Sequence, residues 1–214
     1  MSSIPRSVEA GLALVGLVLA SPLLLPAGIL IVLTSPGPAL FRQVRVGRNG
    51  RPFILFKLRT MRLAQAGPQV TATDDARQTR IGRLLRKSKV DEVPQLWNVL
   101  KGDLSLVGPR PEVPQYVDLD SPLWREVLRA RPGITDPVTL RLRNEEALLA
   151  QVKEAREDYY LQVLLPFKLR GYVDYLKRRT CWTDITVLGK SIIAILIPRS
   201  ATPPTNAEIT STRV

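Results

Sequence analysis

The chain of 214 residues contains no histidine. This absence excludes the Ser-His-Asp triad, His-Cys pairs, the HExxH zinc helix and the usual general base at neutral pH. Any proton or metal chemistry must therefore use carboxylates, lysine, tyrosine or a group of the substrate. The single cysteine, Cys181, excludes an internal disulfide and a multi-thiolate metal site, and it fits a reducing compartment. The length suits one globular domain with appendages.

Acidic residues are scarce where the chain is most basic. Residues 42–89 contain thirteen Lys and Arg but only two acids, Asp74 and Asp75, so this block has a net charge of +11 out of +12 for the chain. Such a block predicts a phosphate-bearing partner, which is a nucleic acid, a nucleotide or an anionic lipid. The alternative is a solvated basic face.

Residues 10–33 form an uncharged run of 24 residues. A helix rises about 1.5 Å per residue and a hydrocarbon layer is about 30 Å thick, so the run predicts a membrane segment. The alternative is a cleaved signal peptide, but the run is too long for its apolar region, only Arg6 precedes it and no small-x-small cleavage site follows. The basic residues that follow place the main domain on the cytoplasmic side.

Prolines interrupt this run at its midpoint, at Ser21-Pro22, and again at Pro26. Proline removes a backbone donor and bends a helix. Two arrangements follow from the local sequence: a kinked span that leaves the N-terminus across the membrane, or a re-entrant helix that returns it to the same side. The local sequence leaves both open.

The remaining pattern predicts short elements in a mixed α/β domain. Alternating apolar residues around the turn Gly47–Gly50 predict an antiparallel hairpin. Helices are predicted from Thr79 to Lys87 and from Pro94 to Gly102. The other predictions are a loop over 64–78, helical patterns over 121–131 and 144–165, and a disordered tail after 198. Amphipathic helices at a membrane interface are predicted over 166–198, with an ordinary core helix as the alternative for the last of them, and the segment 159–179 is also interpreted as an interfacial helix.

Asp91 and Glu92 stand together behind Arg86, Lys87 and Lys89, at or just before a predicted helix N-terminus. Both the helix dipole and the nearby cations favour ionised carboxylates there. An ionised carboxylate among phosphate-binding cations can attack a phosphoryl group and form an acyl phosphate. A magnesium ion would relieve the repulsion between the two acids, since it bridges carboxylates to phosphates. The alternative is that Asp91 only caps the helix and Glu92 faces solvent.

Three motifs decide between a catalytic acidic pair and a simple helix cap at Asp91. "KLRTM" (57–61), "TRIGRLLRKSKVDEVPQLWNVLKGDLSLVGPRPE" (79–112) and "RPGIT" (131–135) follow a proline-broken membrane segment. In this order they resemble the bacterial sugar transferases, the monotopic polyprenyl-phosphate phosphoglycosyl transferases. The resemblance covers about residues 8–197, and it matches the minimal form without additional N-terminal membrane helices.

The resemblance implies a reaction. Members of this family transfer a sugar phosphate from a nucleotide-sugar, usually a UDP-sugar, to polyprenyl phosphate and release UMP, in the step that initiates a bacterial polysaccharide or glycoconjugate. They use an Asp-Glu pair, a covalent phosphosugar on the aspartate, and magnesium. The motif assigns Asp91 as the nucleophile and Glu92 as a metal ligand or orienting carboxylate, with both as candidate ligands of Mg²⁺.

The same resemblance implies the remaining site and its location. It assigns phosphate or substrate binding to the basic motifs and to the Pro-Arg-Pro loop, at Arg110, Arg86, Lys57, Arg59, Pro109 and Pro111. It favours the re-entrant helix broken at Ser21 and Pro22, with the catalytic domain on the cytoplasmic face of the inner membrane. Homo-oligomers and downstream glycosyltransferases are the implied protein partners, and no nucleic acid is implied.

The resulting expectation is one membrane-associated α/β catalytic domain with a small antiparallel hairpin, interfacial helices and a re-entrant N-terminal helix. Its divisions are 1–38 for the membrane segment, 39–197 for the catalytic domain and 198–214 for the tail. The stretch 136–144 departs from the family pattern after "RPGIT", so the sugar is not inferred. A different class stays open: a membrane-tethered protein that binds nucleic acid or anionic lipid through its basic block and has no need of Asp91.

Overall fold

The computed structural model describes residues 3–63, 70–152, 155–197, 204–205 and 208–209. Its first element is helix α1, Arg6–Thr34. Within the described residues it is the one helix long and apolar enough to cross a membrane, and only 11% of its most apolar stretch is buried. Because a core helix of a soluble protein is mostly buried, this low burial favours the predicted membrane segment.

Helix α1 stays helical through Ser21 and Pro22, so the predicted interruption at this point is not seen. The physical reason lies in one hydroxyl group. Proline at position 22 cannot donate to the carbonyl of Val18, but the Ser21 hydroxyl donates to that same oxygen at 2.8 Å. The carbonyl is therefore satisfied without a break in the helix.

Both ends of α1 contact the same domain. At the N-terminal end, the Arg6 guanidinium donates to the carbonyls of Val99 and Leu100, and the amide of Leu106 donates to Glu9 Oε1 at 3.0 Å. At the C-terminal end, Ile31 packs in a small core with Leu58, Leu85 and Ala27. Both ends of α1 are therefore held against the same domain, and the re-entrant arrangement stays a prediction.

The predicted antiparallel hairpin is confirmed. Strand β1, Leu40–Val46, pairs with strand β2, Pro52–Leu58, in a register that places Leu40 opposite Leu58. The turn between them needs left-handed backbone, with φ of 58° at Asn49 and 74° at Gly50, and Asn and Gly adopt that conformation most readily. The hairpin brings Lys57 to the end of β2, beside the next two helices.

Two short helices follow, with a sharp reversal between them. Helix α2, Arg80–Ser88, begins at Thr79, whose side chain accepts from the amide of Gly82. Lys89 then adopts left-handed backbone, and one 3₁₀ turn, Val90–Glu92, leads into helix α3, Gln95–Lys101, which ends at left-handed Gly102. Asp91 and Glu92 therefore lie just before the second helix, as the sequence predicts.

A parallel pair of strands holds the loop that carries Arg110. Strand β3, Ser105–Val107, pairs with strand β4, Gly133–Thr135. A Cβ at Gly133 would lie 2.2 Å from the amide nitrogen of Gly108, so only glycine permits this approach. The amide of Gly133 donates to Pro109 at 3.0 Å, which fastens the start of the Pro-Arg-Pro loop to the "RPGIT" strand.

The C-terminal part supplies the main core. Its elements are α4 (Pro122–Leu128), α5 (Pro137–Arg141), α6 (Glu145–Gln151), α7 (Arg156–Tyr159), a π-helical turn (Tyr160–Leu164), α8 (Leu165–Lys177) and α9 (Cys181–Leu196). The helical pattern predicted over 144–165 is thus divided into several pieces. Trp124, Leu164 and Tyr172 are at the centre of the core.

Helix α8 corrects one prediction. The segment 159–179 was expected to lie at a membrane interface, but Leu169, Tyr172 and Leu176 are buried in the protein core. The aromatic and basic pattern is misleading here because Lys168 is itself buried beside Glu112. Helix α9 has the exposed apolar residues that the prediction required, at Trp182, Ile185, Ile192, Ile193 and Ile195.

The predicted disordered tail, 198–214, lies mostly outside the described residues. Four of its residues are described, and the prediction does not hold for them. Ile209 is buried in the main core, and Glu208 forms an ion pair with Arg141 at 3.0 Å.

Arg59 is a second correction. Its motif assigns it to phosphate binding, but its contacts within the protein leave no N–H donor free for a phosphate. An arginine has five N–H groups, and those of Arg59 donate to the Ser35 hydroxyl and to the carbonyls of Ser35, Pro36, Gly37 and Pro38. The side chain is 2% exposed. Arg59 therefore clamps the chain where it leaves α1.

We expect Arg59→Lys to destabilise the protein by about 2–4 kcal/mol, because lysine has three donors on one atom and cannot reach the same carbonyls. Thermal unfolding of the nanodisc-reconstituted protein measures this loss. Arg62→Lys, at an exposed position, is the matched control and should unfold at the wild-type temperature. Equal stability of both variants would contradict the clamp.

Candidate active site

Glu92 is the centre of the predicted site. Its Oε1 accepts from Arg110 Nη2 at 2.5 Å and its Oε2 from Arg110 Nη1 at 3.4 Å, and Lys57 Nζ lies 3.4 Å from Oε1. A guanidinium that meets both carboxylate oxygens is the strong form of an ion pair. The pair therefore joins the Pro-Arg-Pro loop, the end of β2 and the turn before α3.

The electrostatics of Glu92 follow from these contacts. Burial by itself would raise the pKa of Glu92, but Arg110 and then Lys57 outweigh burial and hold the pKa well below its usual value. Glu92 in turn raises the pKa of Arg110. Burial lowers the pKa of Lys57 to about 8, although Glu92 opposes this shift. All three groups are charged at neutral pH.

Asp91 differs from its neighbour. It is 6% exposed, and within the described part of the chain its Oδ1 has no hydrogen-bond partner. Burial first, and the charge of Glu92 second, raise the pKa of Asp91 to about 6, while Lys57, Arg86 and Lys89 act in the opposite direction. A buried, unpaired carboxylate that still ionises near neutral pH is available as a nucleophile.

Arg86 lies close enough to lower the pKa of Asp91, as its assigned role requires. Its guanidinium is occupied, however, by Glu146 of α6. Nε and Nη2 of Arg86 lie 3.0 and 2.5 Å from Glu146 Oε1, and Nη1 donates to the Thr60 hydroxyl. Sequence reasoning missed Glu146, since no local signal joins residues so far apart in the chain.

The Pro-Arg-Pro loop rests on a buried network that sequence reasoning also missed. Glu112 accepts from Tyr160, from Lys168 at 3.1 Å and from Arg45 at 3.4 Å. Arg45 also donates to the carbonyl of Pro111 at 3.0 Å. Glu112 is adjacent to the "GPRP" motif, so its position could have been noticed, but Lys168 has no such signal. Pro109 and Pro111 flank Arg110 in this loop, and their carbonyls accept from the amide of Gly133 and from Arg45.

The donor set fits a magnesium ion only in part. Among the described residues, no group of three or more His, Cys, Asp or Glu side chains could hold a metal. Mg²⁺ usually takes one or two carboxylates and completes its shell with water and substrate phosphate, and the unpartnered Oδ1 of Asp91 suits such a site. Both Glu92 oxygens are bonded to cations, so its assignment as a metal ligand stays a prediction.

An apolar groove runs between α1 and the elements beside the site. It is a cavity of about 900 Å³ whose lining, within the described residues, is uncharged except for Arg42. Its walls include Leu17, Leu24, Gly28, Leu40 and Phe56, together with Pro94 and Trp97, which follow the acidic pair in the chain.

The first residues of the stretch 136–144 contribute to capping and core packing. Asp136 is fully buried, and its carboxylate accepts from the amides of Val138 and Thr139, so it caps α5. Val138 and Leu142 are also buried in the main core. The departure from the family pattern therefore changes packing at these three positions.

The family comparison and two similar curated proteins agree with the resemblance seen in the motifs. The family model for "Bacterial sugar transferase" matches residues 2–198. The chain is 40% identical over 186 residues, 85% of its length, to a UDP-glucose:undecaprenyl-phosphate glucose-1-phosphate transferase of Caulobacter vibrioides. It is 35% identical over 198 residues, 90% of its length, to a UDP-N-acetylgalactosamine-undecaprenyl-phosphate N-acetylgalactosaminephosphotransferase of Aeromonas hydrophila. The chain spans 65% and 44% of these two relatives.

We expect Asp91→Asn to stabilise the ligand-free protein at neutral pH. The pKa of Asp91 in the folded protein, about 6, exceeds the ordinary value of 3.8. The contribution of Asp91 to stability is therefore fully present below about pH 4, where the residue is protonated, and is lost as the pH rises through about 6. The ionised residue then costs about 2–3 kcal/mol. Thermal unfolding in a chelator, from acidic to neutral pH, measures the difference between variant and wild type.

The matched control is Asp120→Asn, at an exposed position, which should follow the wild-type curve at every pH. A constant offset between Asp91→Asn and wild type across the whole range would contradict the raised pKa.

Proposed function

Because the chain belongs to the bacterial sugar transferase family, we propose that it transfers a sugar phosphate from a UDP-sugar to polyprenyl phosphate. The products are UMP and a polyprenyl diphosphate-sugar, which starts the assembly of a bacterial glycan. The observation that carries this proposal is the buried Asp91 carboxylate with an unpartnered oxygen beside cations. The donor sugar differs between relatives, so the proposal names none.

Asp91 is the proposed nucleophile. One of its oxygens attacks the phosphorus that bears the sugar, and the bond from this phosphorus to the bridging oxygen breaks, so that UMP leaves with that oxygen. The phosphate of the polyprenyl acceptor then attacks the same phosphorus, and the bond to Asp91 breaks. Both steps move electron pairs between oxygens, and neither requires a proton. This agrees with a chain that contains no histidine.

The neighbouring charges have distinct roles in this proposal. Glu92 holds Arg110 and Lys57 in place, so that their remaining N–H groups face phosphoryl oxygens. Arg86 must exchange Glu146 for a phosphate to take part. Preorganised cations of this kind stabilise the charge that develops during phosphoryl transfer.

Magnesium is the proposed cofactor, held by Asp91 together with the donor phosphates. When bound, it would neutralise phosphate charge and favour the ionised form of Asp91. The single unpartnered carboxylate oxygen supports this arrangement.

The proposed site of action is the cytoplasmic face of the inner membrane. The exposed apolar surface of α1 and the exposed Trp182 and isoleucines of α9 support contact with a bilayer. The groove of about 900 Å³ is the proposed path of the polyprenyl chain, because it is apolar and because Pro94 and Trp97, which follow the acidic pair in the chain, line it. Oligomers and downstream glycosyltransferases stay predictions.

The basic block gives little support to the alternative of a nucleic-acid-binding protein. Such a footprint needs cations that face solvent. Several of these cations are instead committed within the protein, at Arg45, Lys57, Arg59, Arg77 and Arg86.

We expect the nanodisc-reconstituted protein to release UMP from at least one UDP-sugar in a panel. Repeated turnover should require both polyprenyl phosphate and magnesium. Asp91→Asn should reduce turnover by at least about 10⁴-fold, as loss of a covalent nucleophile does. Asp120→Asn is the matched control and should keep wild-type activity. Equal release by wild type and Asp91→Asn would reject Asp91 as the nucleophile.

The groove predicts a second kinetic effect. Trp97→Ala should raise the KM for polyprenyl phosphate by about tenfold, because it removes apolar contact area from the proposed lipid path, and it should leave the KM for the UDP-sugar unchanged. Trp182→Ala removes an exposed tryptophan of α9 outside the groove and should leave both constants unchanged. An increase in the donor KM alone would contradict this path.

A further inference from the structure

Gln95 lies one helical turn after Asp91. The backbone between them is right-handed throughout: a 3₁₀ turn over Val90–Glu92, then Val93 and Pro94 in helical conformation, then α3. Its backbone hydrogen bonds join residues three apart, for example from the amide of Val93 to the carbonyl of Val90, as in a 3₁₀ helix of about three residues per turn. Gln95 therefore follows Asp91 by little more than one turn of the same segment.

Both residues leave a buried polar atom unsatisfied. Gln95 is 1% exposed and Asp91 is 6% exposed. Within the described residues, neither the Nε2 of Gln95 nor the Oδ1 of Asp91 has a hydrogen-bond partner. The two atoms are a donor and an acceptor. Burial without a partner costs free energy, so an unsatisfied donor beside the acidic pair requires an explanation.

The packing of α3 does not supply that explanation, as its neighbour Asn98 shows. Asn98 is also fully buried, but its side chain is fully used. It accepts from the amide of Phe56 at 3.1 Å and donates to Ile54 at 2.7 Å and Asp103 at 3.1 Å. Asn98 thus fastens α3 to the hairpin, whereas the amide group of Gln95 makes no such contact through its nitrogen.

We propose that Gln95 is a further catalytic residue, whose Nε2 donates a hydrogen bond to a non-bridging oxygen of the phosphoryl group as that group becomes bonded to Asp91. This inference rests on the proposed function. As the bond from Asp91 to phosphorus forms and the bond to the UMP oxygen breaks, the non-bridging oxygens keep their negative charge a few ångströms from Asp91. A neutral donor about one turn away stabilises them without adding a charge that would hold the carboxylate back.

The chemistry explains why a carboxamide suits this position. A lysine there would form an ion pair with Asp91 and compete with the attack, and a glutamate would repel both the phosphate and Asp91. A glutamine keeps its donor free in the absence of substrate, because the oxygen that it is to meet arrives with the nucleotide-sugar. Donors placed in advance at a developing or persistent oxyanion are an effective form of electrostatic catalysis.

The decisive variant is Gln95→Leu, which keeps the shape and removes the donor. In the nanodisc-reconstituted full chain, we expect its unfolding temperature without substrate to equal or exceed that of wild type, because an unsatisfied buried polar group is lost. Its kcat for UMP release should fall by about 10²–10³-fold, with a smaller change in the KM for the UDP-sugar. Gln95→Glu should lose at least as much activity.

Asn98→Leu is the matched control. It removes a buried carboxamide that is fully bonded, so its unfolding temperature should fall. A Gln95→Leu variant that unfolds at a lower temperature, in parallel with Asn98→Leu, would assign Gln95 a structural role and overturn the inference.

The kinetic outcomes separate this inference from the proposed function. If the wild type releases UMP and Gln95→Leu releases it at the same rate, this inference alone is overturned. If the wild type releases no UMP from any donor in the panel, the proposed function fails and this inference fails with it. A large fall in kcat at undiminished stability supports the inference.

Discussion

The bidentate pair between Glu92 and Arg110 is the interaction on which the geometry of the site depends. Burial of two charges is favourable only when geometry and additional bonds compensate for the lost hydration, and here Lys57 adds a third charge to the same carboxylate. Three segments that are distant in the chain, the end of β2, the turn before α3 and the Pro-Arg-Pro loop, therefore meet at one side chain. Both cations bond to Glu92, and within the described residues Asp91 beside it forms no ion pair.

This arrangement divides the buried polar groups into two classes. Arg59, Asn98 and Asp136 are fully bonded and hold segments together. Asp91 and Gln95 each keep one atom unsatisfied at the same turn. Functional sites commonly sacrifice stability in this way, since groups that must bind substrate cannot be satisfied by the protein itself.

Helix α1 is the predicted membrane element and is also part of the fold. Its N-terminal end binds the chain around α3 and β3 through Arg6 and Glu9, and its C-terminal end is held by Arg59 and the small core around Ile31. The middle of the helix is largely exposed. The domain is therefore tied to both ends of this apolar helix, and the apolar groove opens between them.

The sequence by itself determined the features that depend on local pattern. These are the length of α1, the hairpin around Asn49 and Gly50, the boundaries of α2 and α3, and the position of Asp91 and Glu92 before a helix. Backbone conformation and side-chain periodicity decide such features over a few residues. The family motifs added the acidic pair and Arg110, which the structure brings into contact.

Only the tertiary structure decided how each polar and amphipathic group is used, since that depends on partners distant in the chain. Arg59 binds backbone carbonyls because the end of α1 surrounds it, although its motif resembles a phosphate site. Helix α8 is buried because its apolar side chains pack in the main core, where Lys168 meets Glu112, a contact that no periodicity predicts. Gln95 could be distinguished from Asn98 only once the partners of both were known, because a sequence specifies which groups can form hydrogen bonds but not which of them remain unsatisfied in the fold.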